Sequence, residues 1–199
     1  MPVVLWARHG ENVANLSATL SHRVYDGDLT EAGREQAERL AEVLGTRVTR
    51  LACSPLRRAG QTAAILAARL GLPPAAVLDD LRELNVGALD GRSDAEAWRT
   101  YRGVLAAWRS GRPEARFPGG EDHGELIARL WRALAAVTAD PAGGRPLIVA
   151  HGASLRAALP RLTGGPEPGT DLPTGAIAAL DVDPGGTPPG SVRLLSWPS

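Results

Sequence analysis

Val3-Val4-Leu5-Trp6-Ala7-Arg8-His9-Gly10-Glu11 decides how this chain is read. An apolar run ends abruptly in Arg-His-Gly. The run has the character of a buried strand, and the triplet that of the loop at its carboxyl end, which is where ligands bind in open α/β sheets. Glycine lets the backbone turn sharply or approach a ligand closely. Arginine forks onto a carboxylate or phosphate. Histidine serves as nucleophile, acid/base or metal ligand. Three residues alone fit an ordinary surface loop equally well, so the reading depends on partners elsewhere in the chain.

Two later segments have the same shape. Leu147-Ile148-Val149-Ala150 runs straight into His151-Gly152, and Val48 to Cys53 delivers Ser54-Pro55-Leu56-Arg57-Arg58. If these strands share one parallel sheet, both histidines lie on one edge. Arg57 and Arg58 are adjacent and point in different directions on a helix, so at most one faces a pocket. Helical periods alternate with the strands. Thr30 caps a helix whose Ala37, Leu40, Ala41 and Leu44 recur at helical spacing up to Gly45. Ser54-Pro55 is expected to open a second helix, with Ala59, Ala63, Leu66, Ala67 and Leu70 inward and Gly71 past its end. Pro73-Pro74 and a short segment around Val77 follow. Further helices are expected over Asp94–Ser110, Glu121–Ala139 and Ala153–Leu162. Late strands follow over Ala176–Val182 and Val192–Trp197, while Asn12 to Gly27 shows no sustained period. This alternation predicts an α/β fold with a largely parallel sheet. No repeat or linker divides the chain, so residues 1–199 are expected to form a single domain.

Composition narrows the classes. Hydrophobic residues make up 44% and charged residues 22%, a globular balance. Arginine supplies all 22 positive charges against 22 acidic residues, with no lysine. The net charge of zero speaks for neither a nucleic acid nor a membrane partner, so any anion site is local. One cysteine, Cys53, excludes an internal disulfide and a cysteine zinc site, and reads as a small buried residue. With no signal peptide pattern and no apolar run of membrane-spanning length, a soluble cytoplasmic protein is expected.

The motifs in sequence order resemble those of the histidine phosphatase superfamily, the phosphoglycerate mutase-like group. Arg8-His9-Gly10-Glu11 with Asn15 is similar to the opening signature. Leu29-Thr30-Glu31-Ala32-Gly33-Arg34-Glu35-Gln36-Ala37 looks like the next block, and Ser54 through Ala63 like the third. Glu83-Leu84 before Gly87 and Gly91 resembles the acid loop. Pro118-Gly119-Gly120-Glu121 and His151-Gly152 through Leu155-Arg156 match the last two. Together these cover about residues 3 to 160. The resemblance implies a three-layer α/β/α sandwich with a mostly parallel central sheet. It also implies a phosphomonoester hydrolase acting on a small phosphorylated metabolite through a phosphohistidine, without cofactor or metal. His9 is then the nucleophile and Glu83 the proton donor to the leaving alkoxide. Arg8, Arg58 and His151 surround the phosphoryl oxygens, with Asn15 and the Gly152 amide as further donors.

Other readings remain open. Cofactor-dependent phosphoglycerate mutases of the group carry an extended basic segment after the acid-loop glutamate, whereas here Glu83-Leu84-Asn85 passes directly to Val86–Gly91. The arginines that hold the mutase substrate's carboxylate have no clear counterpart, although Arg99, Arg102 and Arg109 fall in that region. A bulky aromatic and a glutamate common in relatives are absent around Leu89-Asp90, which leaves the pocket shape open. A metal-assisted hydrolase is disfavoured by the arginine beside each candidate ligand. A non-catalytic phospholigand-binding protein would not need His9 and Glu83 together. Trp98, Tyr101 and Trp108 are expected on the leaving-group side. His22 and His123 match no motif and are expected to be structural or exposed, and Glu11 and Arg82 to support their neighbours. Relatives commonly form homodimers, and no stretch here identifies an interface.

Overall fold

The computed structural model describes residues 2–139 and 143–198. Among these, six strands form one sheet: β1 (Val3–Arg8), β2 (Arg50–Cys53), β3 (Ala76–Val77), β4 (Pro146–Ala150), β5 (Ile177–Val182) and β6 (Val192–Ser196). The helices are α1 (Val13–Leu16), α2 (Glu31–Leu44), α3 (Arg57–Leu70), α4 (Ala95–Arg109), α5 (His123–Thr138) and α6 (Gly152–Thr163). The spatial order is β3-β2-β4-β1-β5-β6. β3, β2, β4 and β1 run parallel, β5 is antiparallel to β1, and β6 is antiparallel to β5. The expected α/β class with a mostly parallel sheet is what the chain adopts.

The pleat sends successive side chains to opposite faces, and each face has its own cover. Trp6, Ala52, Ile148 and Ala178 point into a core with Leu126, Leu130 and Leu134 of α5 and Leu155 and Leu159 of α6. Their neighbours Ala7, Leu51, Cys53, Leu147 and Val149 pack instead on Leu40, Ala41 and Leu44 of α2 and Ala59, Ala63 and Leu66 of α3. These two cores make the three layers. Strands buried on both faces need near-continuous apolar runs, which is how β1 and β4 read. No described helix is long and apolar enough to cross a membrane.

Register then positions the loops. Arg8 lies opposite Ala150, and Cys53 opposite Val149, so β1, β4 and β2 end at one level. The His9 amide donates to Ala150 O at 3.0 Å, and the Ser54 amide to Val149 O at 3.0 Å, which carries the sheet's order into the first loop residues.

Two local expectations are corrected. Ser54-Pro55 does not open α3. The helix starts at Arg57, and its N-cap residue Leu56 supplies no side-chain cap. Ser54 Oγ is occupied by the Leu56 amide and the His151 ring instead. Within the aperiodic Asn12 to Gly27 stretch lies the short helix α1, closed by a reciprocal capping box between Asn12 and Asn15. Its single turn is too short to show a period.

The first turn of α2 is pressed onto the loop after β1. Thr30 caps the helix as expected, its amide donates to Glu11 O at 3.0 Å, and its hydroxyl donates to the Glu11 carboxylate at 2.8 Å. The Glu11 amide donates to Gln36 Oε1 at 2.8 Å. A Cβ on Gly33 would meet Glu11 O at 1.9 Å, and one on Gly10 would meet Gly33 O at 2.2 Å. Gly60, inside α3, faces open space. Gly33→Ala is therefore expected to destabilise the protein by about 1–3 kcal/mol or more. Gly60→Ala should stabilise it by about 0.5–1 kcal/mol, the ordinary gain of alanine over glycine within a helix. Urea unfolding midpoints of both variants check the pair.

Candidate active site

His9 sits directly past β1 and is 3% exposed. Its Nδ1 donates to Gly10 O at 2.7 Å, because a carbonyl can only accept. Arg58 Nε donates to His9 Nε2 at 3.0 Å, because a guanidinium cannot accept. The imidazole is therefore the neutral Nδ1–H tautomer, with the Nε2 lone pair turned into the pocket. Burial holds its pKa well below the ordinary histidine value, and the Arg58 and Arg8 charges add to this.

Arg58, in the first turn of α3, is the pocket's buried cation. It donates through Nη1 to Ser21 Oγ at 2.9 Å, and through Nη2 to Ser21 O at 3.0 Å and His151 Nδ1 at 3.3 Å. Asp26 lies 3.8 Å away and is its nearest carboxylate. Arg57 points outward and pairs with Asp28, so one member of the pair faces the pocket, as helix geometry requires. His151 mirrors His9 at the end of β4. With Nδ1 accepting from Arg58, its Nε2 donates to Ser54 Oγ at 2.8 Å. It too is neutral, its pKa held well below the ordinary value by burial and then by Arg58. The two rings stand 5.2 Å apart.

The Arg8 guanidinium donates to Leu172 O at 2.7 Å and has no ion-pair partner among the described residues. Gly152 is the first residue of α6, where a helix amide lacks an intrahelical acceptor. Any side chain there would crowd Arg8 Cδ at 3.1 Å. Asn15 lines the pocket, with its Oδ1 accepting the Asn12 amide at 3.1 Å. Asn12 is fully buried against the same pocket, and its Nδ2 has no partner among the described residues.

Glu83 stands across the pocket. Its Oε1 accepts from the Leu84 amide at 2.9 Å and the Ser154 amide at 2.8 Å. Its Oε2 has no partner among the described residues. The structure thus brings together His9, Arg8, Arg58, His151, Glu83, Asn15 and Gly152.

The inner cavity, about 140 Å³, is the size of a small anion with its water. Beside it opens a second cavity of about 420 Å³, and Arg8, Glu83, Trp98, Tyr101 and Ala153 line both. Trp98 and Tyr101 meet edge to face, with ring centres 5.2 Å apart. Burial and the Glu83 charge push the Tyr101 hydroxyl above its ordinary pKa, so it remains a neutral donor. Trp108 corrects the expectation for the aromatic trio. It is turned away, stacked on His123 with ring centres 4.7 Å apart, and its Nε1 donates to Ala115 O. Arg102 and Arg109 line the second cavity and Arg99 does not.

Sequence reading missed Ser21, Ser54, Asn12 and Thr62. Thr62 Oγ1 accepts the Gly10 amide at 3.1 Å and donates to Arg58 O at 2.7 Å. Its place four residues after Arg58 on α3 was the available signal. Ser21 lies in an aperiodic loop and carried none. His22 and His123 are both buried and structural. The Asp90 carboxylate, at the place where the group's common residues are absent, accepts from the amides of His22, Arg23 and Val24 and so orders the loop that holds Ser21. Among the described residues, no group of three or more His, Cys, Asp or Glu is arranged to hold a metal ion.

The histidine pKa values fix a pH dependence of stability. Those of His9 and His151 lie well below the unfolded value of about 6.5, so below that pH the unfolded chain binds more protons than the native one. Stability is full above about pH 7 and falls as pH drops through about 6.5 to 5, with these two rings contributing up to about 2.7 kcal/mol per pH unit. His9→Asn is expected to reduce that slope by about 1.4 kcal/mol per pH unit in urea titrations. An unchanged slope would contradict a buried neutral His9.

Comparison with known proteins places the chain in a family. The profile of the histidine phosphatase superfamily (branch 1) matches residues 4–189. The chain is 37% identical over 172 residues to a probable phosphoglycerate mutase GpmB of Yersinia enterocolitica, covering 82% of this chain and 75% of that relative. Among solved structures it is similar to a mycobacterial glucosyl-3-phosphoglycerate phosphatase, with TM-score 0.81 and 28% identity over 98% of both chains. It is also similar to a putative alpha-ribazole-5'-P phosphatase of Escherichia coli, with TM-score 0.77 and 25% identity over 100% of this chain and 96% of the other. The chain belongs to the histidine phosphatase superfamily.

Proposed function

We propose that this member of the superfamily is a metal-independent phosphomonoesterase that works through a phosphohistidine at His9. One observation carries the reading. The Nδ1–H of His9 is committed to Gly10 O, so Nε2 carries the lone pair, accepting from Arg58 in a pocket that also contains Arg8 and a Glu83 carboxylate oxygen with no partner among the described residues.

A phosphate dianion entering the inner cavity takes the donors of Arg58 and frees the His9 Nε2 lone pair. That lone pair attacks phosphorus in line, forming the N–P bond as the P–O bond to the alcohol breaks. Protonated Glu83 gives its Oε2 proton to the departing oxygen. The resulting carboxylate takes a proton from a water that attacks the phosphohistidine, and inorganic phosphate leaves with His9 neutral again. Arg8, Arg58 and the Gly152 amide stabilise the equatorial oxygens, with Asn12 Nδ2 and Asn15 as further donors. His151 joins them once the dianion's charge favours a proton on its Nδ1. Arg58 contacts both histidines, so a cation beside each ring disfavours a metal at that place.

The alcohol occupies the second cavity. Trp98 and Tyr101 form an aromatic wall suited to a ring-bearing or otherwise bulky leaving group, in accord with the names of the two phosphatase neighbours. The short passage from Glu83 to Gly91, without a basic insert, favours hydrolysis over phosphoryl return to a second substrate. The name of the 37% identical relative favours a second reading, phosphoglycerate mutase.

Phosphate release from a panel of phosphomonoesters, with chelator present, separates the two readings. The expected result is chelator-resistant release that vanishes in His9→Ala. Isomerisation of 3-phosphoglycerate on addition of a bisphosphoglycerate primer, without net release of phosphate, would replace the phosphatase reading with the mutase.

A further inference from the structure

We propose that Arg129 and Glu121 form a buried clamp that positions Glu83, so that the clamp acts on leaving-group protonation rather than on phosphate binding. This rests on the reading of Glu83 as the proton donor.

The segment bearing Glu83 lacks regular strand or long-helix structure, so its own backbone ladder cannot hold it. Arg129, on α5, reaches into it with every donor used. Nη1 donates to Asp80 O at 2.8 Å and Arg82 O at 2.7 Å, and Nη2 donates to Glu83 O at 3.1 Å. The remaining two donors, Nη2 and Nε, form a bidentate pair with the Glu121 carboxylate, both at 2.8 Å. The pair is nearly dry, with the Arg129 and Glu121 side chains 12% and 6% exposed. Glu121 Oε1 also accepts from the Asn85 amide at 2.9 Å, and the Glu121 amide donates to Asn85 O at 2.9 Å. Two carbonyls before the acid, the carbonyl of Glu83 itself and, through Glu121, the backbone of Asn85 are thus tied to one ion pair.

His22 completes the clamp from the opposite loop, its Nδ1 donating to Glu83 O at 2.8 Å. The Glu83 carbonyl is held twice and its Oε1 is held by two amides, so Oε2 is the one part of the residue left for a reacting proton. Arg129 does not line the inner cavity and donates to no group assigned to the phosphate, its reach to the His151 ring being by charge alone, which Arg129→Lys keeps. A lysine offers three donors from a point and cannot reproduce the five-donor fork.

Good leaving groups need no proton, whereas alkoxides do. The test is kcat/KM on 2,4-dinitrophenyl phosphate and on glycerol 2-phosphate for wild type, Arg129→Lys, Glu121→Gln and Glu83→Gln, with thermal unfolding of each recorded. The clamp predicts that Arg129→Lys loses about 10²-fold on the alkyl ester, the scale of general-acid assistance, and far less on the dinitrophenyl ester. Glu121→Gln keeps an acceptor for the Asn85 amide but weakens the ion pair, and should show the same selectivity at smaller size. Equal losses on both esters in variants that remain folded, or no loss on either, would overturn the clamp. Glu83→Gln separates the two layers of argument. If it shows the selectivity and both clamp variants do not, the clamp alone falls. If it spares the alkyl ester, or wild type hydrolyses neither ester, the role of Glu83 falls and takes the clamp with it.

Discussion

The contact between the Arg58 guanidinium and His9 Nε2 is the interaction on which the site's organisation depends. A buried guanidinium needs acceptors, and here it takes both candidate histidines and the Ser21 hydroxyl and carbonyl. Each of those bonds fixes something else. The His9 tautomer follows from it, as does that of His151, whose other nitrogen is then directed to Ser54. Asp26, at 3.8 Å, is the carboxylate within ion-pair range of Arg58, Arg8 has none among the described residues, and the Glu83 charge acts on Arg58 from across the pocket. A dianion between them gives both guanidiniums a charge-assisted acceptor.

The scaffold makes this contact possible by ending three neighbouring strands at one level. β2, β4 and β1 are adjacent and parallel, and each delivers one functional segment from its carboxyl end. The remaining parts hold the loops still. α2 presses its glycine turn against the loop after β1, Asp90 gathers three amides of the loop carrying Ser21, and α5 holds the loop of Glu83 through Arg129. These loops have little regular structure, so side-chain bonds replace the missing ladders.

Much of this was legible in the sequence because the strands are short, apolar and terminated by glycine-bearing motifs. Alternation carried the α/β class and the largely parallel sheet, helix geometry limited the pocket to one of Arg57 and Arg58, and the motif resemblance supplied the three layers and the choice of Arg58. What failed to show were contacts that depend on tertiary direction. Ser54-Pro55 has the composition of a helix start, yet Ser54 is drawn to His151 and α3 begins at Arg57. Trp108 shares a helix face with Trp98 and Tyr101, but its ring stacks on His123 and leaves the second cavity to its neighbours Leu105 and Arg109. Asn12 and Ser21 sit in a stretch without period, so nothing local announced them. Arg129 resembles any other arginine of an arginine-only surface until the loop carbonyls around it are seen.

The stereochemical course at phosphorus tests the central claim most directly. A phosphorothioate ester made chiral with two oxygen isotopes is hydrolysed in water of the third, and the configuration of the released thiophosphate is determined. Attack by His9 followed by attack by water makes two in-line displacements, so the account predicts net retention. Net inversion would mean that water attacks the ester directly, and would contradict a phosphohistidine at His9.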